Sequence, residues 1–277
     1  MTPVSDSDVV NPVSDQPEDP PVFSGKLPHW FEEDCRDDAA VIWRYMSFAK
    51  LVSLFHTRSL YLSRADRLGD PFEGSAWLGA RLQRTAIQAA VSRDTKKTVD
   101  IVAQLAEAAE SARRRTAISC WHMADHESAA MWHLYSPSGQ GIAVKSTIGR
   151  LRESLRACPI YLLLGPVRYL DYDRELAVEP TLNYIRPFFR KRISFQHEQE
   201  LRLITVRLVD DDNVFDPRRA TIGEGVLAST DLGVLLDEIR VAPNAPEWYR
   251  QAVVAVAERF GINCPVTQSA LDAQAIF

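Results

Sequence analysis

Apolar residues recur along this chain with a period of two in some stretches and between three and four in others, and the two kinds of stretch are intermixed. Residues 41–45 (Val41, Ile42, Trp43, Arg44, Tyr45) are β-branched and aromatic, as strands are. Ser47 suits a helix N-cap, and Phe48, Leu51, Val52 and Phe55 follow at i, i+3, i+4 and i+7, which predicts an amphipathic helix. Residues 59–63 read as a short strand and 66–74 as a loop. Two apolar stripes, Leu78/Leu82/Ala86/Ala90 and Val99/Val102/Ala106/Ala109, predict a helical hairpin over 76–114 with its turn at 92–95 and a basic C-terminal end at Arg113, Arg114 and Arg115.

Beyond it the pattern predicts a strand at 116–121, a short helix at 127–135, a turn at 136–139 and a strand at 141–146. A helix capped by Thr147 follows, with Ile148, Leu151 and Leu155 inward. Strands are expected at 160–164, 166–172, 200–209 and 235–241. Residues 175–194 are expected to be helical, interrupted at Pro180 and Pro187. A last helix is expected over 246–260, with Trp248, Ala252, Val256 and Phe260 on one face and Gly261 as its stop. There is no internal repeat and no regular βαβ alternation. The class expected is therefore α+β: a mixed or antiparallel central sheet with flanking helices and a helical-hairpin insertion.

Composition changes this picture at the N-terminus. Residues 1–28 hold six of the sixteen prolines, and residues 1–25 hold five acidic residues (Asp6, Asp8, Asp15, Glu18, Asp19) without a lysine or arginine. Such a segment buries too little apolar surface to offset its ordering entropy, so a flexible tail is expected ahead of one α+β domain over 29–277. Setting the tail aside leaves 32 acidic against 32 basic residues. A neutral body has no global attraction for nucleic acid or anionic lipid. The cysteines Cys35, Cys120, Cys158 and Cys264 are scattered without metal-binding spacing and read as free thiols in a reducing compartment. No apolar run is long enough to span a bilayer and the N-terminus is not a secretory signal, so a cytoplasmic protein is expected.

Four places carry candidate chemistry. Glu198 and Glu200 precede the strand that begins at Leu201, and in extended chain residues i and i+2 point to one side. Two such carboxyls give either an acid–base pair or, with Arg202 beside them, a salt-bridged strand end. Arg44 interrupts an apolar strand; it binds a phosphate or pairs with Asp70 or Glu73. Cys120, His122, His126 and His133 lie near one another in sequence, but their spacing fits no zinc pattern and no metal is expected. Arg190, Lys191 and Arg192 lie among Phe188, Phe189 and Phe195, as a nucleic-acid strip or, as the neutral body favours, as the solvated face of a helix.

Several short motifs in order resemble the bacterial domain-of-unknown-function 2971 family. They are Trp43-Arg44-Tyr45-Met46, Leu60-Tyr61-Leu62-Ser63 and Asp70-Pro71-Phe72-Glu73-Gly74, then Ser119-Cys120-Trp121 with Met131, Trp132 and Tyr135. Gly141-Ile142-Ala143-Val144, His197-Glu198-Gln199-Glu200-Leu201-Arg202, Ile239-Arg240-Val241-Ala242-Pro243 and Ser269-Ala270-Leu271 complete the set, which spans about residues 40–272. The resemblance implies a phage-defence or toxin–antitoxin setting. More distantly, the order of Arg44, Ser119 and Glu198/Glu200 is similar to that of ADP-ribosyltransferases of the Arg–Ser–Glu class, though Ser119-Cys120-Trp121 departs from their Ser-Thr-Ser pattern.

That second resemblance implies an ADP-ribosyltransferase-like fold and NAD as substrate. Arg44 would hold the pyrophosphate, Ser119 would orient Glu200 by a hydrogen bond, and Glu200 would stabilise positive charge as nicotinamide leaves, while Glu198 would engage the acceptor. Tyr45, Trp121 and Trp132 would stack on the bases, with His122 on the same cofactor side. The acceptor is a protein, a nucleic acid or water. The alternatives are a noncatalytic binding or sensor module of a defence system, and a metal-dependent nuclease built on Asp70, Glu73, Glu198 and His122.

Overall fold

A computed structural model describes residues 28–30, 37–94, 101–136, 139–177, 185–207 and 222–272. The expected N-terminal tail, apart from Pro28, lies outside these residues, as does residue 95 of the expected 92–95 turn, while 92–94 are helical instead of turning. In chain order the elements are β1 (His29–Trp30), β2 (Val41–Ser47), α1 (Phe48–Thr57), β3 (Ser59–Arg64), α2 (Leu78–Asp94), α3 (Ile101–Arg115), β4 (Thr116–Met123), α4 (Ala129–Tyr135), β5 (Gly141–Thr147) and α5 (Ile148–Ser154). There follow β6 (Leu163–Pro166), β7 (Arg168–Leu170), β8 (Arg190–Arg192), β9 (Glu200–Val206), β10 (Gly225–Ser229), α6 (Leu232–Leu235), β11 (Glu238–Val241), α7 (Glu247–Arg259) and β12 (Val266–Gln268). Short 3-10 turns at Arg186–Phe189 and Ile193–Glu198 flank β8.

The fold is α+β. One mixed sheet runs β1-β6-β9-β4-β2-β5-β11-β12, antiparallel except at β1/β6 and β11/β12, and β7 and β8 form a separate parallel pair. Strand alternation splits the core into two faces. Ile42, Met46, Trp121, Ile142, Val144, Leu201 and Leu203 pack beneath α1, α5, α6 and α7. Trp43, Tyr45 and Ala143 pack under α4 on the other face, where Ile118 and Ile204 meet Phe188 and Phe189. The expected N-caps are present: the Ser47 hydroxyl accepts from Lys50 N, and Thr147 Oγ1 accepts from Arg150 N. The helical hairpin is present as α2 packed on α3.

The feature that positions the site is a fork in the sheet. β2 and β3, joined by α1, both pair with the edge of β4 opposite β9. β2 meets it only at Ile42↔Met123 and Trp43↔His122, and β3 only at Ser63↔Ile118 and Arg64↔Ala117. Between them, on this edge, β4 has no strand partner at residues 119–121 among the described residues, while its other edge stays paired with β9. From Arg44 on, β2 parts from β4 and keeps only its pairing with β5, which runs its whole length, and β3 approaches from its pairing with β10.

Three expectations need correction. The helix expected over 175–194 is not there: 175–177 have no regular structure, 186–189 form a 3-10 turn, 190–192 are strand β8 and a second 3-10 turn begins at Ile193, while 178–184 lie outside the described residues. Helix α7 buries Tyr249, Val253 and Ala257, one residue round from the face expected, and leaves Trp248 60% exposed. The basic tract is neither a nucleic-acid strip nor a solvated helix face, because Arg190 and Lys191 are buried with Phe188 and Phe189.

Candidate functional site

A cavity of about 460 Å³ opens at the fork, within the range of ligand pockets. Its walls include Arg44, Tyr45 and Lys50 from β2 and α1, Tyr61 and Ser63 from β3, and Ser119, Cys120, Trp121 and His122 from β4. Met131 and Tyr135 of α4 line it too, and so do Glu198 and Glu200. Arg44 and the two carboxyls, distant in sequence, thus face one space.

Arg44 reaches across the fork. Its Nη2 donates to the Tyr61 carbonyl of β3 at 2.8 Å, and its guanidinium lies 5.8 Å from the centroid of the Trp121 ring. It pairs with no carboxylate among the described residues, so Asp70 and Glu73 are not its partners: Asp70 binds Arg192 at 2.9 Å and Glu73 binds Arg202. Burial lowers the Arg44 pKa to about 10, which still leaves it charged at neutral pH. A charged guanidinium without an acid beside it, in the wall of a cavity, is suited to an anion.

The acidic side is an ion cluster built from four segments. Arg202 is 1% exposed; its Nε donates to Glu200 Oε2 at 2.6 Å and its Nη groups grip Glu73 at 2.6 and 2.9 Å. Gly74 makes this grip possible: it turns with φ +70°, and a Cβ there would lie 2.5 Å from the Phe188 ring. Lys191 Nζ donates to Glu198 Oε2 at 2.8 Å and to Glu200 Oε1 at 2.6 Å. The two glutamates do not sit in one extended run. Glu198 ends a 3-10 turn, Gln199 adopts φ 40° and ψ 55°, and Glu200 begins β9. The left-handed residue, together with Lys191, brings the carboxyls together where simple alternation was expected to.

Their environments separate them. Burial by itself raises a carboxyl pKa, but at Glu200 the charges of Arg202 and Lys191 and the bonds from Glu198 and Arg202 outweigh it and hold this group well below the ordinary range. At Glu198, burial and the hydrogen bond to Glu200 prevail over Lys191 and push the pKa up to about 7. The Glu200 side chain is 4% exposed and that of Glu198 14%. One carboxyl is fixed as an anion and the other exchanges a proton near neutrality, the division of labour found where an acid or base works beside an electrostatic stabiliser.

The remaining residues divide. His122 lies opposite Glu200 on β4, and its Nδ1 is 2.7 Å from the Glu198 carbonyl. That nitrogen therefore carries the proton, and burial lowers the ring's pKa, so Nε2 of a neutral imidazole is the acceptor. The Tyr45 hydroxyl accepts from Ser128 N, and burial raises its pKa to about 12. Trp121 lines the cavity, whereas Trp132 does not: its Nε1 donates to Glu127 Oε2 at 2.8 Å and its ring stands edge-on behind Tyr45. Ser119 does not bond Glu200. It shares the α1 face of β4 with Trp121, and its buried Oγ has no partner among the described residues; Cys120, on the other face, is the β4 side chain on the side of Glu200 and Arg202. Among the nuclease candidates, Asp70 and Glu73 are each held by an arginine, and no group of three metal-ligating side chains occurs among the described residues.

Sequence reasoning passed over Lys191, taken for helix surface, and gave Tyr135 no role beyond its place in a motif. Tyr135 is 45% exposed at the cavity, stacked at 6.4 Å on Tyr45; burial of its hydroxyl raises the pKa, and it senses Arg44, Glu198 and Glu200 together.

No family model matches the chain, and no curated protein matches it. The resemblance to the domain-of-unknown-function 2971 family is therefore not supported by the family models. Among solved structures, the chain is similar to Thermus sp. 2.9 DarT in complex with ADP-ribosylated ssDNA, at 10% identity and a TM-score of 0.40 over 89% of this chain and 99% of that one. It is likewise similar to the same protein in complex with NAD+ (9%, 0.40, 87% and 100%) and with carba-NAD+ (10%, 0.38, 85% and 98%). At this identity and score the likeness gives no residue-by-residue correspondence.

Proposed function

We propose that the fork cavity binds NAD and that the chain breaks its nicotinamide–ribose bond, passing ADP-ribose to an acceptor or to water. The observation that supports this best is the arrangement of charge: an arginine without an acid partner among the described residues shares one cavity with two carboxyls of divided proton affinity. On this reading Arg44 takes the pyrophosphate, and the aromatic walls of Tyr45, Trp121 and Tyr135 take the planar groups. The C–N bond electrons leave with nicotinamide, which departs neutral. The ribose carbon gains positive charge, and the Glu200 anion stabilises it. Ionised Glu198 takes the proton of the attacking hydroxyl, amine or water as the new bond forms.

The noncatalytic reading has one observation in its favour: both Glu200 oxygens are engaged, by Lys191 and Arg202, and the group is almost wholly buried. Nicotinamide release separates the two. Wild type should release it from NAD, and both Glu198→Gln and Glu200→Gln should reduce the rate by about a hundredfold or more, the cost of a lost transition-state charge. Binding of NAD without release, with or without candidate acceptors, would support the binding module. The defence or toxin setting predicts growth arrest on induced expression, relieved by Glu198→Gln.

A further inference from the structure

Among the described residues, Lys191 is the one cation that touches both carboxyls of the site. Its ammonium is enclosed: two donors go to Glu198 and Glu200, and the Phe195 ring covers it at 4.5 Å from the centroid. Strand β8 is held for this purpose by its parallel pairing with β7, where Lys191 lies opposite Tyr169, and the Tyr169 hydroxyl accepts from Glu200 N at 2.8 Å. Lysine and tyrosine thus grip the start of β9 from one two-stranded sheet.

We propose that Lys191 is the positioning residue of the carboxyl pair: its ammonium clamps Glu198 and Glu200 to one point of the cavity wall and favours the ionised Glu198 that takes the proton of the acceptor. The inference rests on the NAD reading for its consequence, though the clamp itself is testable without NAD. The other groups facing Glu198 do not substitute for it. Arg202 is committed to Glu200 and Glu73, His122 donates to a backbone carbonyl, and the thiol of Cys120 and the phenols of Tyr135 and Tyr169 are neutral near pH 7 because burial raises their pKa values. His197 adjoins Glu198 in the same turn.

The test is a carboxyl 13C titration of Glu198, assigned by its loss in Glu198→Gln, in the wild type and in Lys191→Met. Removing the cation disfavours the ionised carboxylate, so the Glu198 midpoint should rise by about one unit or more. Lys191→Arg should hold it near the wild-type value. The acidic limb of the pH profile for nicotinamide release should move up with it, while KM for NAD stays within about threefold, since Arg44 is untouched. A lysine that merely supports the fold would lower stability and leave midpoint and limb in place, and that result overturns the proposal. If Lys191→Met does not fold, Lys191→Gln carries the same expectation. A midpoint that moves in a protein releasing no nicotinamide would remove the NAD reading and leave the clamp standing.

Discussion

Arg44 and Arg202 are both arginines set in apolar strands, and they end in opposite situations. Arg202 is enclosed, with Glu73 and Glu200 on its nitrogens and the Phe188 carbonyl on Nη1. Arg44 bonds a carbonyl, lies over an indole and lines the cavity without an ion-paired carboxylate among the described residues. A charge satisfied on every side belongs to the fold. A charge left over at a cavity is available to a ligand, because the protein has already met the cost of keeping it there.

The difference can be broken open from either side. Arg202→Met should have the largest effect, destabilising the protein by about 3–5 kcal/mol by leaving Glu73 and Glu200 buried without their main cation. Urea unfolding would read this, and a loss below about 1 kcal/mol would place Arg202 outside the structural role. Arg44→Ala should do the reverse. It should weaken NAD or ADP-ribose by about ten- to a hundredfold in a calorimetric titration, the worth of a charge-assisted contact, with little change in unfolding midpoint.

The carboxyl pair sharpens the comparison through pH. Glu198 binds its proton more tightly in the fold than its ordinary value of 4.5. Its stabilising contribution is therefore complete below about pH 4.5 and is lost as pH rises through about 7. Glu200 has the opposite sign, stabilising above the ordinary carboxylate range and losing that contribution as pH falls into the acid region. Glu198→Gln mimics the protonated form, so wild type should lose stability relative to this variant between about pH 4.5 and 7; a parallel pair of curves would contradict the raised proton affinity. The smallest effect is expected at Ser119. Its hydroxyl does not touch Glu200, so Ser119→Ala should leave nicotinamide release within about threefold of wild type.

Much of this arrangement was legible in the sequence where local signals dominate. The β2–α1–β3 segment followed from strand composition, the Ser47 cap and the helical spacing after it. Arg44, Glu198 and Glu200 stood out as charges in apolar or strand-end settings, and the cavity brings them together. What failed was decided by distant partners. Arg190, Lys191 and Arg192 look like a helix surface until β7 and two glutamates are placed against them. Ser119 looked like a partner of Glu200 until register put Cys120 on that face. Trp132 looked like a ligand wall until Glu127, which also binds Arg240 and Ser269, claimed its N–H.

The most direct measurement is a crystal structure of the chain with a hydrolysis-resistant NAD analogue. The account predicts the pyrophosphate against Arg44 and the nicotinamide ribose beside Glu198 and Glu200, with Tyr135 over the ligand. An analogue bound away from the fork, or one whose phosphates leave Arg44 untouched, would contradict it.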